Sequence, residues 1–304
     1  SGEDLRKAGG EQPALLVNRI NGEGYRVYLN GILIGSAGDP VDGRANIWNA
    51  TTVFPIDPAL IWGQNELVLE FHHEYNAGVN GIILLTDMDT ARGSLGIAFG
   101  LSDALSYISI GILLSGCIII LLIMALNQQK NSPYVFIIIS LFALAVYTLD
   151  FIHLPYLPFS YLVFKKIIIM GMFTAAASLS IAISKMFRRL LPAIIGCIPL
   201  AVILASVVLV GDITVFTRIY VYCSLLIPIA AMVWLVTILP NYKEREEARI
   251  FTIGLGLFVA GGGFNAAMLF LYPSLVSSTV FPFACLYMSM MILLLNLDIK
   301  RKNE

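Results

Sequence analysis

The chain has 304 residues, of which 58% are hydrophobic and only 13% charged, with a mean hydropathy of +0.82. Soluble domains carry about 25% charged residues, so this composition argues against an ordinary soluble enzyme and for a polytopic membrane protein. The charge is partitioned: residues 1–100 hold six Lys/Arg against twelve Asp/Glu, and residues 101–304 hold thirteen against eight. An acidic, water-facing part therefore precedes an apolar part with basic flanks.

Residues 1–13 are polar and Gly-rich and are expected to be a disordered or truncated start, since they contain no apolar signal segment. Alternation begins after them. Val27 and Leu29 lie two apart, with Arg26 and Tyr28 on the other face. Asn30-Gly31 follows and then Ile32-Leu33-Ile34, the pattern of a two-residue hairpin turn in which both turn residues take positive φ. Further strands are predicted at 15–19, 51–56, 66–73 and 81–86, separated by Gly/Pro/Asn/Asp clusters. Short strands at this spacing predict an antiparallel β-sandwich over residues 14–91. All four cysteines, Cys117, Cys197, Cys223 and Cys285, lie in apolar runs beyond it, so no disulfide framework supports that domain.

The strings Tyr28-Leu29-Asn30-Gly31, Phe54-Pro55-Ile56 and Gly63-Gln64-Asn65-Glu66-Leu67 resemble the galactose-binding-like jelly roll. That resemblance implies a sensor or carbohydrate-recognition module. A full jelly roll has about eight strands, and six are legible, so an incomplete domain is expected. Tyr28 and Trp48 are candidates to stack on a sugar, with packing as the alternative, and Trp62 reads as packing. Glu70, His72 and Glu74 alternate onto one strand face, giving either a ligand-binding face at His72 and Glu74 or a solvated polar one. Asp39 and Asp42 are too few carboxylates for a calcium site, and no metal or other cofactor is expected. Asn49-Ala50-Thr51 matches a glycosylation sequon. Residues 92–104 read as a short linker.

From residue 105 the chain is a series of uncharged apolar windows. The last runs from 250 to 297, about 72 Å as a helix and too long for one crossing. A turn near Pro273 gives seven predicted helices at 105–127, 134–152, 163–185, 190–210, 216–239, 249–271 and 279–297, with a stub at 298–304. Lys and Arg concentrate in the loops that include Lys185, Arg188, Arg189, Lys243, Arg245 and Arg249, which predicts those loops and the C-terminus inside and the strands outside. Pro199 and Pro228 are expected to kink their helices. Ala176, Ser180 and Ser184 form a small-residue stripe suited to close packing.

Ionisable residues deep in a membrane mark ion paths and proton relays. Here Asp150, His153, Lys165, Lys166, Asp212 and Arg218 fall at span boundaries, which disfavours a pump, and no hydrolase, zinc-protease or phosphate-loop motif is present. The segment 149–158, rich in aromatics and Pro, reads either as an interfacial belt or as a relay surface built from Asp150, His153 and Tyr156, with Arg218.

Taken together, the strand signatures, short link and seven apolar helices resemble the bacterial seven-transmembrane receptors with diverse intracellular signalling modules (7TMR-DISM). The resemblance covers about residues 14–300. It implies a non-enzymatic transmembrane receptor of the bacterial plasma membrane that binds an extracellular small molecule or carbohydrate. It also implies a homodimer embedded in membrane lipid, without nucleic acid. The signal would pass to a cytoplasmic output domain, such as a diguanylate cyclase, histidine kinase or phosphatase, absent from this chain. The alternatives are a transporter or channel subunit, or a membrane anchor for a carbohydrate-binding module.

Overall fold

A computed structural model of the chain describes residues 12–74, 78–79, 81–126, 133–246, 248–253 and 255–256. It divides into two compact units. The first takes the described residues within 1–106 and 150–164, and the second those within 107–149 and 165–266. Each is built differently.

The first unit is made of antiparallel strands. β1 (Pro13–Asn18) lies between β5 (Thr51–Pro55) and β8 (Ile83–Asp87), and β3 (Gly24–Leu29) lies between β4 (Ile32–Gly38) and β6 (Leu67–His72). β2 (Ile20–Asn21) and β7 (Gly78–Val79) add a two-residue pair. The six legible strands are thus present, each within two residues of its predicted bounds apart from the longer β4. The two three-stranded sheets share one core that includes Leu15, Val17, Tyr25, Val27, Leu29, Phe54 and Ile56. Tyr25 meets Phe54 edge-on, and its hydroxyl bonds Thr52.

β1 is apolar at successive positions rather than at alternate ones because it is covered on both faces. Leu15 and Val17 enter the core, whereas Ala14 and Leu16 face the other way and are equally buried. Helix α1 (Met88–Phe99) lies against β1, β5 and β8 and buries Ala91. This helix corrects the reading of residues 92–104 as a plain linker. Asp87 caps its first turn by accepting from Thr90 N at 2.8 Å, and a π-helical turn at Gly100–Ala104 completes it. The glycines at 93, 96 and 100 obscured it, since Gly is a weak helix former.

The second unit holds helices α2 (Leu105–Leu126, whose first two residues belong to the first unit), α3 (Tyr134–Thr148), α4 (Tyr161–Phe187, whose first four residues belong to the first unit), α5 (Leu191–Leu209), α6 (Ile213–Ser224) and α7 (Leu226–Ile238). Counting α6 and α7 as one path, five helices among the described residues are long and apolar enough to cross a membrane, and the chain reads as a multi-pass membrane protein. Most of the predicted span at 249–271, the span at 279–297 and the stub at 298–304 lie outside the described residues, as do Cys285 and nearly all of the start at 1–13.

The expected single helix 216–239 is interrupted at Leu225, three residues before Pro228. Proline has no N–H to donate to the carbonyl of residue 224 and its ring crowds that carbonyl. Pro199, by contrast, sits inside α5 without ending it. α4 is the axis of the packing. Ser140 Oγ on α3 donates to Ala175 O at 2.9 Å, and Trp234 Nε1 on α7 donates to Ser180 Oγ at 2.9 Å. Any side chain at Gly196 of α5 would collide with Ser180. Ser180, the middle residue of the small-residue stripe, therefore packs closely against α5 and α7. Lys166 Nζ donates to Val207 O at 2.9 Å and Val210 O at 2.6 Å, placing its cation on the open carbonyls at the end of α5.

Candidate functional site

Residues 150–160 connect α3 to α4 in sequence yet belong to the strand unit. We call this segment the strap. Its receiver is the irregular stretch Arg44-Ala45-Asn46-Ile47-Trp48-Asn49. An isolated antiparallel bridge joins Asn46 to Leu154, with Asn46 N donating to Leu154 O at 2.8 Å and Leu154 N to Asn46 O at 3.0 Å. Farther along, Leu157 N donates to Arg44 O at 2.7 Å.

Side chains complete the junction. Asn46 Nδ2 donates to Asp150 O at 2.9 Å and to Ile152 O at 3.1 Å, and Trp48 Nε1 donates to the same Asp150 carbonyl at 2.8 Å. Asn49 Nδ2 reaches Phe151 O at 3.4 Å. Trp48 also meets the Phe151 ring edge-on at 5.9 Å. Ile152 and Leu157 are the buried apolar anchors of the strap. Asn46 is 2% exposed, so its donors are withdrawn from water and spent on strap carbonyls at and just past the 3-10 turn Leu149–Phe151 that ends the α3 path.

Arg19 supports the receiver from behind. It occupies a left-handed conformation at φ 56°, is buried, and donates through Nε and Nη2 to Asn49 Oδ1 at 3.1 and 3.0 Å. Its guanidinium also lies 5.8 Å from the Trp48 ring centroid. Burial lowers Arg19 to about 10, which leaves it charged at neutral pH. The Asn49 amide is engaged at both ends, by Arg19 and by Phe151, so the sequon is occupied by structural bonds.

A second fastening comes from the link. Asp103, on the π-helical turn, accepts from His153 N through Oδ1 at 2.6 Å. It is 8% exposed, and burial raises its pKa above the usual aspartate range, opposed by that hydrogen bond and by the His153 imidazole.

The sequence-chosen residues separate into four places. Trp48, Asp150 and His153 come together at the strap. Tyr156 is on the strap but 64% exposed, and Arg218 lies on α6 in the other unit, also exposed. Tyr28 is on the outer face of β3, where its hydroxyl donates to Glu70 Oε2 at 2.8 Å beside the Arg26–Glu70 ion pair at 3.3 Å. His72 and Glu74 gather with the buried Glu23, whose Oε2 accepts from Glu74 N at 2.8 Å. Burial raises the Glu23 pKa, its hydrogen bonds from the Glu74 and Glu23 backbone oppose that, Glu74 adds to it, and His72 opposes it. Tyr28 and Trp48 therefore do not share a stacking platform, and Glu70 is drawn to Arg26 and Tyr28 rather than to His72.

Asp39 holds its own loop, accepting from the backbone of Val41, Asp42 and Arg44, which lowers its pKa. No group of three or more His, Cys, Asp or Glu among the described residues could hold a metal ion. Trp62, expected to pack, is 55% exposed; its backbone is clasped by Asn65 on both sides. Asn65 in turn accepts from Asn30 Nδ2 at 2.9 Å, while Asn30 Oδ1 accepts from Glu66 N at 2.8 Å. Two of the three strings that carried the jelly-roll resemblance, at 28–31 and 63–67, are thus a hydrogen-bonded pair of turns.

Asn46, Arg19 and Asp103 were missed in the sequence. The available signal was two asparagines flanking Ile47-Trp48 in a stretch with neither strand nor helix period, and a lone carboxylate at the mouth of an apolar helix. No family model, curated protein or solved structure matches the chain.

Proposed function

We propose that the chain is a bacterial transmembrane signalling receptor. In this reading the strand unit is an extracellular, jelly-roll-like sensor for a small molecule or carbohydrate. The helices, seven in all, relay its state to a cytoplasmic output such as a cyclase, kinase or phosphatase, in the same polypeptide or on a partner. The observation that carries the reading is the strap. A connection between two apolar helices is fastened to the strand unit by backbone bridge, side-chain donors and buried apolar anchors together. The Lys/Arg asymmetry of the loops supports the orientation, and span interiors free of charge speak against a transporter.

A ligand shifts such a receptor only by its differential affinity for two states. The strap offers two states, docked and released, and its covalent continuity with α3 and α4 turns either into a displacement of their ends. To test this, the chain is fused after Glu304 to a diguanylate cyclase reporter and exposed to a panel of mono- and oligosaccharides. A sugar-dependent output that disappears in Asn46→Leu supports the relay. An output that responds equally in Asn46→Leu removes the strap from the mechanism, and no response to any sugar removes the carbohydrate assignment.

A further inference from the structure

The junction between strap and strand unit holds one buried carboxyl, and its surroundings leave it short of partners. Asp103 Oδ1 receives the His153 N–H. A carboxylate has about four lone-pair positions, and His153 is the residue that acts on it electrostatically; no Lys or Arg does so among the described residues. The strap's other titratable groups are Asp150, which presents its carbonyl to the receiver, and Tyr156, which is exposed; α1 carries Asp89 and Arg92. Two buried atoms in the same junction, Asn46 Oδ1 and His153 Nε2, have no hydrogen-bond partner. The docked state is therefore not at its hydrogen-bonding limit, and a change at one group alters its balance.

We propose that Asp103 is a proton-responsive latch, which tightens the strap on the strand unit when its carboxyl gains a proton and loosens it when the proton leaves. The inference rests on the relay reading for its regulatory meaning, though the latch itself requires only the docked geometry. An ionised carboxylate withdrawn from water without a cation is costly, and the cost is relieved either by protonation or by exposure. Exposure here means release of the strap.

The sign follows from burial. In the docked structure burial raises the Asp103 pKa above its ordinary value of 3.8, against the opposing hydrogen bond and imidazole of His153. Docking is therefore strongest below the ordinary value and weakens as pH rises through the raised one. Acidification outside the membrane would hold the strap docked.

The test uses the full chain in lipid nanodiscs with Trp62→Phe and Trp234→Phe, leaving Trp48 as the reporter of the strap. Its emission is followed from about pH 4 to pH 8, spanning the ordinary aspartate value and the range above it. Expected is a shift towards the solvent-exposed spectrum as pH rises, abolished in Asp103→Asn, which stays docked throughout. Hydrogen exchange at the Leu154 amide, corrected for its intrinsic rate, gives the same reading in the unsubstituted chain. Protection should fall by up to tenfold for each unit by which docking raises the Asp103 pKa. A flat profile in both measurements, or an Asp103→Asn profile identical to the parent's, overturns the latch. A pH-dependent Trp48 signal alongside a cyclase reporter that ignores Asn46→Leu leaves the latch standing and removes the relay.

Discussion

In the strand unit the residues that fix the architecture are loop asparagines, whereas in the helical unit they are glycine and serine on helix faces. Asn30, Asn46, Asn49 and Asn65 each bridge segments far apart in sequence through a planar amide; those of Asn30, Asn49 and Asn65 donate and accept at once, and that of Asn46 donates twice. Gly171 and Gly196 work by what they omit, and Ser140 and Ser180 join helices through a small hydroxyl. At Gly171 an added Cβ would lie 2.8 Å from Ala143 O, and at Gly196 it would enter the Ser180 side chain. In a loop of the strand unit, backbone groups without a ladder must be satisfied individually. In the helices those groups are already paired, and steric fit decides which faces meet.

The contrast can be broken or sharpened by substitution. The largest effect is expected for Asn46→Leu, which fills the same space but leaves Ile152 O without its donor and costs the strap about 3 kcal/mol. Exchange at the Leu154 and Leu157 amides should accelerate by roughly 100-fold, with the helical amides of α4 unchanged. Acceleration in both units would show that the loop asparagine also governs the bundle.

Gly196→Ala should come next. The new methyl displaces Ser180 and with it the acceptor of Trp234 Nε1, at about 2 kcal/mol for overpacking. Thermal unfolding in detergent, followed through Trp234 emission, should fall while Trp62 emission stays as in the parent. Asn30→Ala should be the smallest, at about 1–2 kcal/mol. It loses the bonds to Leu60 O and Asn65 and places alanine at φ 52°. Trp62 emission should respond and Trp234 emission should not, the reverse of Gly196→Ala.

The elements that were legible in the sequence share a property: local pattern alone determined them. Asn30-Gly31 demanded positive φ at two successive residues, and the structure has φ 52° and 80° there. Pro228 announced an interruption because its missing N–H acts within one turn. What was not legible depended on distance. Trp48 was singled out for its aromatic face, yet its indole N–H serves the strap 102 residues away, a use that no local pattern encodes. Asp150 was chosen for its carboxylate and participates through its backbone carbonyl. Asp103 carries no local signal, because its partner His153 lies 50 residues away. Met88–Phe99 was obscured because three glycines at 93, 96 and 100 lower helix propensity, while packing on β1, β5 and β8 outweighs it.

The central claim is that docking of the strap sets the state of the helices, and locking against release tests it most directly. In a background without native cysteines, Asn46→Cys with Leu154→Cys places two thiols on paired residues of an antiparallel bridge, a separation that a disulfide can span. The oxidised pair holds the strap docked and Asn46→Leu releases it, both in the cyclase fusion and both checked for folding through Trp234 emission. Displacement of the output in opposite directions from the parent, with reduction of the disulfide carrying the locked chain to the Asn46→Leu level because both then lack the Asn46 donors, is the predicted result. Equal output from the locked and the released chains would contradict the account.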